Sequence, residues 1–178
     1  MNLLAKTRIY AIGHMQYADG RGWREYVEEE LKHLGLTVCN PYDKPFIKDI
    51  DESEEVRSQL DDLMLGGKYD EVAGRMKIIR SYDLNLVDRS DFIIAHILPH
   101  VASWGTAEEL SVACHLKRPV FVSVEGGKSK TPLWMMGMLP HKYIYDSIED
   151  VIDMIKKIDN NEIEIDSDRW RLLRKELR

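Results

Sequence analysis

The chain has 178 residues, of which 44% are hydrophobic, and a formal net charge of −6 with a pI near 5.5. This length fits one domain with a substantial core. The acidic balance excludes a protein whose main task is to grip nucleic acid, which needs a basic face. A small anionic ligand remains compatible, because a few arginines and a helix N-terminus suffice for one phosphate. No apolar run approaches about 18 residues, so no membrane span is expected.

The amino-terminal segment and the cysteines favour a cytoplasmic location. Residues 1–6, Met-Asn-Leu-Leu-Ala-Lys, are too short and too polar for a signal peptide. Cys39 and Cys114 lie far apart in the sequence, each among apolar residues. Two free thiols in a reducing compartment are the simplest interpretation.

The first elements form a strand, helix and strand. Residues 8–12 read as a buried strand, and a glycine-containing loop follows over residues 13–22. Apolar residues recur at helical spacing over residues 23–34, and Gly35 provides a natural stop. Residues 36–39 read as the second strand. The pattern therefore predicts one βαβ unit.

The rest of the chain continues the alternation of helices and strands. Residues 43–75 are acidic and weakly patterned, with a break at Gly66-Gly67. Helices are predicted over residues 54–65, 72–87, 105–116 and 147–158, and strands over residues 92–98, 119–124 and 143–145. Ser147 with Asp150 forms a capping pattern for the last helix.

This order predicts an α/β fold, a doubly wound parallel sheet of about five strands with helices on both faces, as in Rossmann-like and flavodoxin-like proteins. Residues 1–158 form the predicted domain. Residues 159–178 form a charged tail, which is either a helix used in packing or assembly or a frayed end.

The loop after the first strand is one candidate ligand site. It joins a strand to a helix N-terminus, where a phosphate can bind, and Arg21 and Arg24 can supply positive charge. The loop matches neither the dinucleotide fingerprint nor the P-loop. A glycine-rich turn with surface arginines is the equally acceptable alternative.

The carboxylates around the strand at residues 92–98 are the second candidate. Glu108 and Glu109 open the helix that follows this strand, where ligands of open α/β sheets bind. Acidic residues at helix starts are more commonly capping residues, and Asp91 reads as a cap or turn. Asp83 lies on the preceding helix.

Other catalytic patterns are missing from the sequence. The six histidines form no metal-binding spacing, so neither a metal nor another cofactor is expected. The nucleophile motif G-x-S-x-G is absent. The run Trp134-Met-Met-Gly-Met138 is either core filler or a soft apolar wall against a flat ring or a neighbouring subunit.

Four segments together resemble the nucleoside 2-deoxyribosyltransferase superfamily, nearer its nucleoside 5′-monophosphate N-glycosidase branch. They are Arg-Ile-Tyr10 leading to Gly13, the segment from Asp83 to Asp91, the helix start Gly105-Thr-Ala-Glu-Glu109-Leu, and the strand start Lys117-Arg-Pro-Val-Phe-Val. The resemblance covers roughly residues 7–158.

The resemblance implies roles for individual residues. Glu109 is the implied nucleophile at C1′ of the sugar, with Glu108 as its solvent-side neighbour. Tyr10 is implied to hold the Glu109 carboxylate by a hydrogen bond. Asp83 is implied to contact the base as a proton donor. A close carboxylate stabilises an oxocarbenium-like transition state or traps it covalently, which agrees with these roles.

The departures from the family pattern favour one substrate and one reaction. Ser103, six residues before Glu109, stands where the transferases have an acidic residue and the monophosphate N-glycosidases a phosphate-binding serine. Residues 130–136 lack the asparagine that reaches a neighbouring transferase subunit, and Ser111 replaces a common glycine. The further expected substrate contacts are Gly13, Arg21, Arg24, Gly105, Asp91 and Trp134.

The preferred function is hydrolysis of the N-glycosidic bond of a nucleoside or deoxynucleoside 5′-monophosphate. The alternatives are base exchange between deoxynucleosides and a nucleotide-binding sensor without turnover. The expected partners are a small nucleoside or nucleotide and, by resemblance, other copies of the chain, without a nucleic acid polymer or a membrane.

Overall fold

A computed structural model describes residues 2–15, 20–42, 53–163 and 169–173. Its centre is one five-stranded, all-parallel sheet in the order β2-β1-β3-β4-β5. The strands are β1 (Arg8–Gly13), β2 (Thr37–Cys39), β3 (Phe92–Ile97), β4 (Val120–Val124) and β5 (Ile144–Tyr145). The predicted doubly wound α/β fold is confirmed, and β5 is the edge strand that the sequence predicts.

Six helices accompany these strands in the described part of the chain. They are α1 (Gly22–Leu31), α2 (Glu54–Leu65), α3 (Tyr69–Arg89), α4 (Trp104–His115), α5 (Leu133–Met138) and α6 (Ile148–Asp159). Helices α1 and α6 cover one face of the sheet, and α3 and α4 cover the other. Helix α2 packs on α3, and the short turn at Gly66-Gly67 joins the two into the α2–α3 hairpin.

The strand order reverses between β1 and β3, and this reversal positions the site. Their register pairs Tyr10 with Ile93 and Gly13 with His96, so both strands end at the same level. In a sheet of this order, the crevice for ligands opens where two neighbouring strands lead to opposite sides. The loops that follow β1 and β3 border this crevice.

Local capping explains where the helices begin. The hydroxyls of Ser53, Ser103 and Ser147 accept hydrogen bonds from backbone N–H groups three residues on, at the starts of α2, α4 and α6. Helix α2 has its predicted bounds and ends at Gly66-Gly67, where Gly67 has φ of +70°. Helix α3 is longer than predicted at both ends, since it begins at Tyr69 and ends at Arg89. Ser90 is its C-cap, and the Ser90 hydroxyl donates to the Leu86 carbonyl.

The carboxyl-terminal segment contributes to the core. Trp170 is 1% exposed and packs against Phe92 and Phe121, with ring centroids 5.2 and 5.6 Å away. A short 3₁₀ turn, Arg171–Leu173, follows it. Of the two alternatives for the tail, packing applies to this part of it, and the domain boundary at residue 158 stays a prediction.

The described helices and the two cysteines form neither a membrane span nor a disulfide. None of the described helices is long and apolar enough to cross a membrane. Cys39 and Cys114 are free and half-buried, and burial raises the pKa of both thiols. Each thiol is therefore predominantly protonated at neutral pH.

Replacing Trp170 tests the contribution of the tail. Trp170→Ala removes a buried aromatic side chain from a packed cluster, and we expect it to lower the free energy of unfolding by about 3–5 kcal/mol. Trp134→Ala, at a residue that is 85% exposed, is the matched control and should change stability by less than about 0.5 kcal/mol. Urea unfolding followed by circular dichroism measures both. Equal stabilities for the two variants would contradict the structural role of residues 169–173.

Candidate active site

A pocket of about 1180 Å³ opens at the crevice between β1 and β3. The α2–α3 hairpin forms one wall, and the first turns of α4 form another. Its volume exceeds the roughly 300–1,000 Å³ typical of small-molecule sites. Apolar side chains of α2 and α3 line the outer part, whereas Tyr10, Asp83, Glu109 and Arg24 contribute polar groups.

Tyr10 and Glu109 are joined by a short hydrogen bond. The Tyr10 hydroxyl donates to Glu109 Oε1 over 2.6 Å, and the two residues are 1% and 8% exposed. Burial, followed by the negative charges of Glu109 and Asp83, raises the pKa of Tyr10 well above 10.0. Tyr10 therefore stays a hydrogen-bond donor at neutral pH and fixes the orientation of the carboxylate.

The neighbouring carboxylate, Glu108, faces the rim of the pocket. The guanidinium of Arg80 in α3 donates two hydrogen bonds to the Glu108 carboxylate. Arg80 Nε donates to Glu108 Oε2 over 2.7 Å, and Arg80 Nη2 donates to Glu108 Oε1. Both side chains are well exposed, and the hydrogen bond from Arg80 lowers the pKa of Glu108. The structure thus distinguishes two adjacent glutamates, one at the floor beside Tyr10 and one at the rim beside Arg80.

Asp83 reaches the same floor from α3. It is half-buried and lines the pocket, and its charge acts on both Tyr10 and Arg24. The three residues implied to be catalytic, Tyr10, Asp83 and Glu109, therefore come together from β1, α3 and α4. Their separation in sequence is bridged by the packing of α3 and α4 on the same face of the sheet.

Arg24 organises the backbone behind this floor. Its guanidinium donates to the carbonyls of Ala11, Gly13, His14 and Gly20, and the residue is 1% exposed. Burial lowers its pKa to about 10, so it remains a cation at neutral pH. These bonds hold the end of β1 and the start of α1 together. Most donors of Arg24 are thereby committed to the backbone rather than to a ligand.

Gly13 permits the close packing at this point. A Cβ atom on Gly13 would lie 2.9 Å from the His96 carbonyl oxygen and 2.9 Å from Trp23 Cζ2. A larger residue would clash with the β3 backbone and with Trp23 of α1. Gly13 lines the pocket, and residues 16–19 of the predicted loop lie outside the described residues.

Arg21 and Ser103 lie at different distances from the pocket. Arg21 forms an exposed ion pair with Glu25 at 3.5 Å and stacks on the Tyr42 ring at 5.0 Å, outside the pocket lining. Ser103 lines the pocket as the N-cap of α4. Its hydroxyl accepts from the Thr106 N–H and donates to Thr106 Oγ1 at 2.8 Å. Phosphate binding by either residue stays a prediction.

The other predicted substrate contacts are divided between the rim and the far end of the sheet. Gly105 and Trp134 line the pocket, and Trp134 is 85% exposed. Within the same helix α5, Met135 is buried in the core, so the two alternatives for the methionine-rich run apply to opposite faces. Leu133 is 89% exposed, which leaves an apolar surface of the kind that the predicted homo-oligomer would cover.

The structure places Asp91, one of the expected substrate contacts, away from the pocket. Its carboxylate accepts from the Arg8 N–H at 2.8 Å, where β1 and β3 begin. This is the sheet edge opposite to the carboxyl ends of the strands, and Asp91 is outside the pocket lining. Asp91 therefore ties two strands at their amino ends, as its capping pattern indicates.

Several lining residues are additions to the predicted set. His14 is 3% exposed at the end of β1, and Arg57, Lys77 and Arg80 bring cations from α2 and α3. Lys77, Arg80 and Asp83 are spaced three residues apart and lie on one ridge of α3. This spacing is the sequence signal that could have identified Lys77 and Arg80 as neighbours of Asp83. Within the described residues, no group of three or more histidine, cysteine or acidic side chains is arranged to hold a metal ion.

Comparisons with known proteins support the fold. No protein-family model matches the sequence, and no curated protein matches it significantly. The 2-deoxyribosyltransferase of Bacillus psychrosaccharolyticus superposes with a TM-score of 0.52 at 19% identity, covering 82% of this chain and 90% of that one. A conserved protein of Enterococcus faecalis V583 gives 0.55 at 17% identity, with coverages of 86% and 99%.

A third structure, the CMP N-glycosidase of Clostridium botulinum, gives a TM-score of 0.47 at 16% identity and covers 85% of this chain and 98% of that one. The first two superpositions show that the chain shares the α/β fold of the 2-deoxyribosyltransferase.

Separate substitutions of the two arginines at the start of α1 test whether Arg24 holds the backbone together. Arg24→Gln leaves several buried carbonyls without donors, and we expect a loss of about 3 kcal/mol in the free energy of unfolding. Arg21→Gln removes only an exposed ion pair and a stacking contact, so its loss should be below about 1 kcal/mol. Guanidinium unfolding of both variants gives the comparison. A loss for Arg24→Gln no larger than for Arg21→Gln would refute this role.

The raised pKa of Tyr10 predicts a pH dependence of stability. The unfolded phenol ionises near pH 10.0 and the folded one only at higher pH, so the folded state retains the proton more tightly. This stabilisation is complete below about pH 10 and is lost as the pH rises towards the folded pKa. The stability difference between wild type and Tyr10→Phe should therefore be constant below pH 10 and shrink above it.

Urea unfolding of both proteins between about pH 8 and pH 11 measures this difference. Tyr145, whose pKa burial raises to about 12, is present in both proteins and cancels in the comparison. A difference that stays constant across the whole range would show that the Tyr10 hydroxyl is not held in its protonated form.

Proposed function

We propose that this protein hydrolyses the N-glycosidic bond of a nucleoside or deoxynucleoside 5′-monophosphate through Glu109, releasing the free base and the sugar phosphate. The observation that carries the proposal is the buried 2.6 Å hydrogen bond from Tyr10 to Glu109 in a pocket that also contains Asp83. A helix-capping carboxylate needs neither a buried phenol donor nor a second carboxyl group in the same pocket. The fold shared with an enzyme named for 2-deoxyribosyl transfer supports the same class of chemistry.

In the proposed reaction, a Glu109 carboxylate oxygen forms a bond to C1′ while the C1′–N bond breaks. The bonding electrons go to the leaving base, which receives the proton of Asp83 in its carboxylic acid form. Water then attacks C1′ of the glycosyl ester and passes a proton to Asp83, which restores the acid, the Glu109 carboxylate and the free sugar phosphate. The carboxylate stabilises the positive charge that develops on the sugar ring in the transition state, as in the mechanism of retaining glycosidases.

Tyr10 and Arg24 prepare the nucleophile. The Tyr10 hydrogen bond orients the carboxylate without protonating it, because the raised pKa keeps the proton on the phenol. Arg24 lies behind the floor, and its positive charge acts on both Glu109 and Asp83. The cation stabilises the nucleophilic Glu109 carboxylate in this partly buried site.

Hydrolysis rather than base exchange is proposed because residues 130–136 carry no asparagine to reach a neighbouring site. The 5′-monophosphate is proposed because Ser103 stands at the start of α4, where backbone N–H groups at the pocket wall favour an anion. The base and the type of sugar are left open in this proposal.

Substitution of the two adjacent glutamates tests the nucleophile. Glu109→Gln keeps the shape of the side chain and removes the nucleophilic charge, so base release should fall by about a thousandfold or more. Glu108→Gln should retain base release at saturating substrate, because Glu108 faces the rim. Chromatography of free base from each natural nucleoside and its 5′-monophosphate measures both. Comparable losses for the two variants would exclude Glu109 as the specific nucleophile.

The same assay with a second free base separates hydrolysis from exchange. A hydrolase gives free base and sugar phosphate whether or not the second base is present. Appearance of a new nucleoside or nucleotide would assign base exchange instead. Tight nucleotide binding without any released base would assign the sensor.

A further inference from the structure

The charged side chains that line the described pocket balance one another. They are the cations Arg24, Arg57, Lys77 and Arg80 and the carboxylates Asp61, Asp83, Glu108 and Glu109. A substrate with a phosphate adds a charge of about −1.5 to −2 near neutral pH. It therefore needs a cation that can leave its present partner at little cost.

Two of the four cations are committed to the backbone. Arg24 is buried and donates to four carbonyls, so turning it towards a ligand would leave several buried acceptors unsatisfied. Arg57 donates to the Met15 carbonyl at 2.9 Å and has Asp61 one turn along α2. Arg21, one of the two arginines expected to bind phosphate, lies outside the pocket lining.

Arg80 differs from these arginines in exposure and in partner. Its side chain is 57% exposed, and its partner Glu108 is 38% exposed. An exposed ion pair contributes little stability, so an incoming anion can displace Glu108 cheaply. A phosphate also accepts two parallel hydrogen bonds from a guanidinium, as the carboxylate does now.

The position of Arg80 is suited to a nucleotide. Arg80 lies one helical turn from Asp83 on α3, and its partner Glu108 is adjacent to Glu109 on α4. Side chains one turn apart on a helix have Cβ atoms about 5–6 Å from each other. The guanidinium therefore lies near the two groups proposed to flank the scissile bond. Lys77, one further turn along, lines the pocket and has no hydrogen bond or ion pair to the described residues.

We propose that Arg80, assisted by Lys77, binds the phosphate of the substrate, and that Glu108 occupies Arg80 until the phosphate replaces it. This inference rests on the proposed function and names the residues that recognise the anionic group. Glu108 then competes with the phosphate for Arg80. It lowers the affinity for nucleotides and leaves the affinity for uncharged nucleosides nearly unchanged.

Binding measurements test this assignment independently of turnover. Isothermal titration of Glu109→Gln protein with the four natural 2′-deoxynucleoside 5′-monophosphates, and with the corresponding nucleosides, gives the affinity gained from the phosphate. Adding Arg80→Gln should weaken monophosphate binding about tenfold or more and leave nucleoside binding within about twofold. Lys77→Gln should weaken monophosphate binding by a smaller factor.

Adding Glu108→Gln gives the distinguishing result. Removing the competitor should tighten monophosphate binding several-fold, which is the opposite direction to Arg80→Gln. A purely structural link between α3 and α4 predicts that both variants change binding in the same way. Arg75→Gln, an exposed cation of α3 outside the pocket lining, is the matched control and should bind like the parent.

An unchanged ratio of monophosphate to nucleoside affinity in Arg80→Gln would overturn the assignment, as would weakened binding in Glu108→Gln. Either result leaves the proposed hydrolysis intact if the wild type still releases base. The expected shifts in affinity without any base release by the wild type would instead support the phosphate site and refute the hydrolase.

Discussion

The hydrogen bond between Tyr10 and Glu109 is the contact on which the site depends. It joins residues 99 positions apart, so it forms only when β1 and α4 are packed against each other. Because both residues are buried, the bond lies in a region of low dielectric constant, where it is stronger than the same bond in water. Burial also makes a carboxylate without hydrogen-bond donors unfavourable. The Tyr10 hydroxyl supplies a donor to one of the two Glu109 carboxylate oxygens.

A second constraint follows from placing carboxylates beside a buried phenol. The carboxyl groups of Asp83 and Glu109 lie near the Tyr10 phenol, and Arg24 places a cation near all three from the first turn of α1. The four carbonyls that Arg24 binds also close the end of β1 onto α1, and Gly13 allows that closure sterically. One side chain therefore supplies both charge compensation and backbone geometry.

Much of the fold could be predicted because local signals agree with the packing. The apolar run at residues 92–98 predicts a buried strand, and Ser147 with Asp150 marks a helix start that the structure shows. The length of α3 could not be predicted from its first turns, because its beginning at Tyr69 carries no side-chain cap. Burial of Trp170 was equally hidden, since a tryptophan in a charged tail reveals its partners only in three dimensions.

The candidate site was predictable in a more limited way. The adjacent Glu108 and Glu109 have the same local sequence signal, and only the family resemblance and the position of Tyr10 separate them. Asp91 shows the reverse case, in which its capping pattern described its environment better than the resemblance did. The hydrogen bonds of Arg24 to backbone carbonyls had no sequence signature, because they depend on how the carbonyls of Ala11, Gly13, His14 and Gly20 converge in the folded chain.

Exposure divides the pocket into two kinds of interaction. At the floor, Tyr10, Glu109 and Arg24 are buried, and their hydrogen bonds resist rearrangement because each broken bond leaves a desolvated group. At the rim, Arg80 and Glu108 are exposed, and water replaces either partner readily. A reaction centre needs fixed geometry, whereas a binding group must release its partner to receive the ligand. Residues of β1, α1 and α4 therefore form the rigid part of the site, and Arg80 of α3 with Glu108 of α4 forms the ion pair that can exchange.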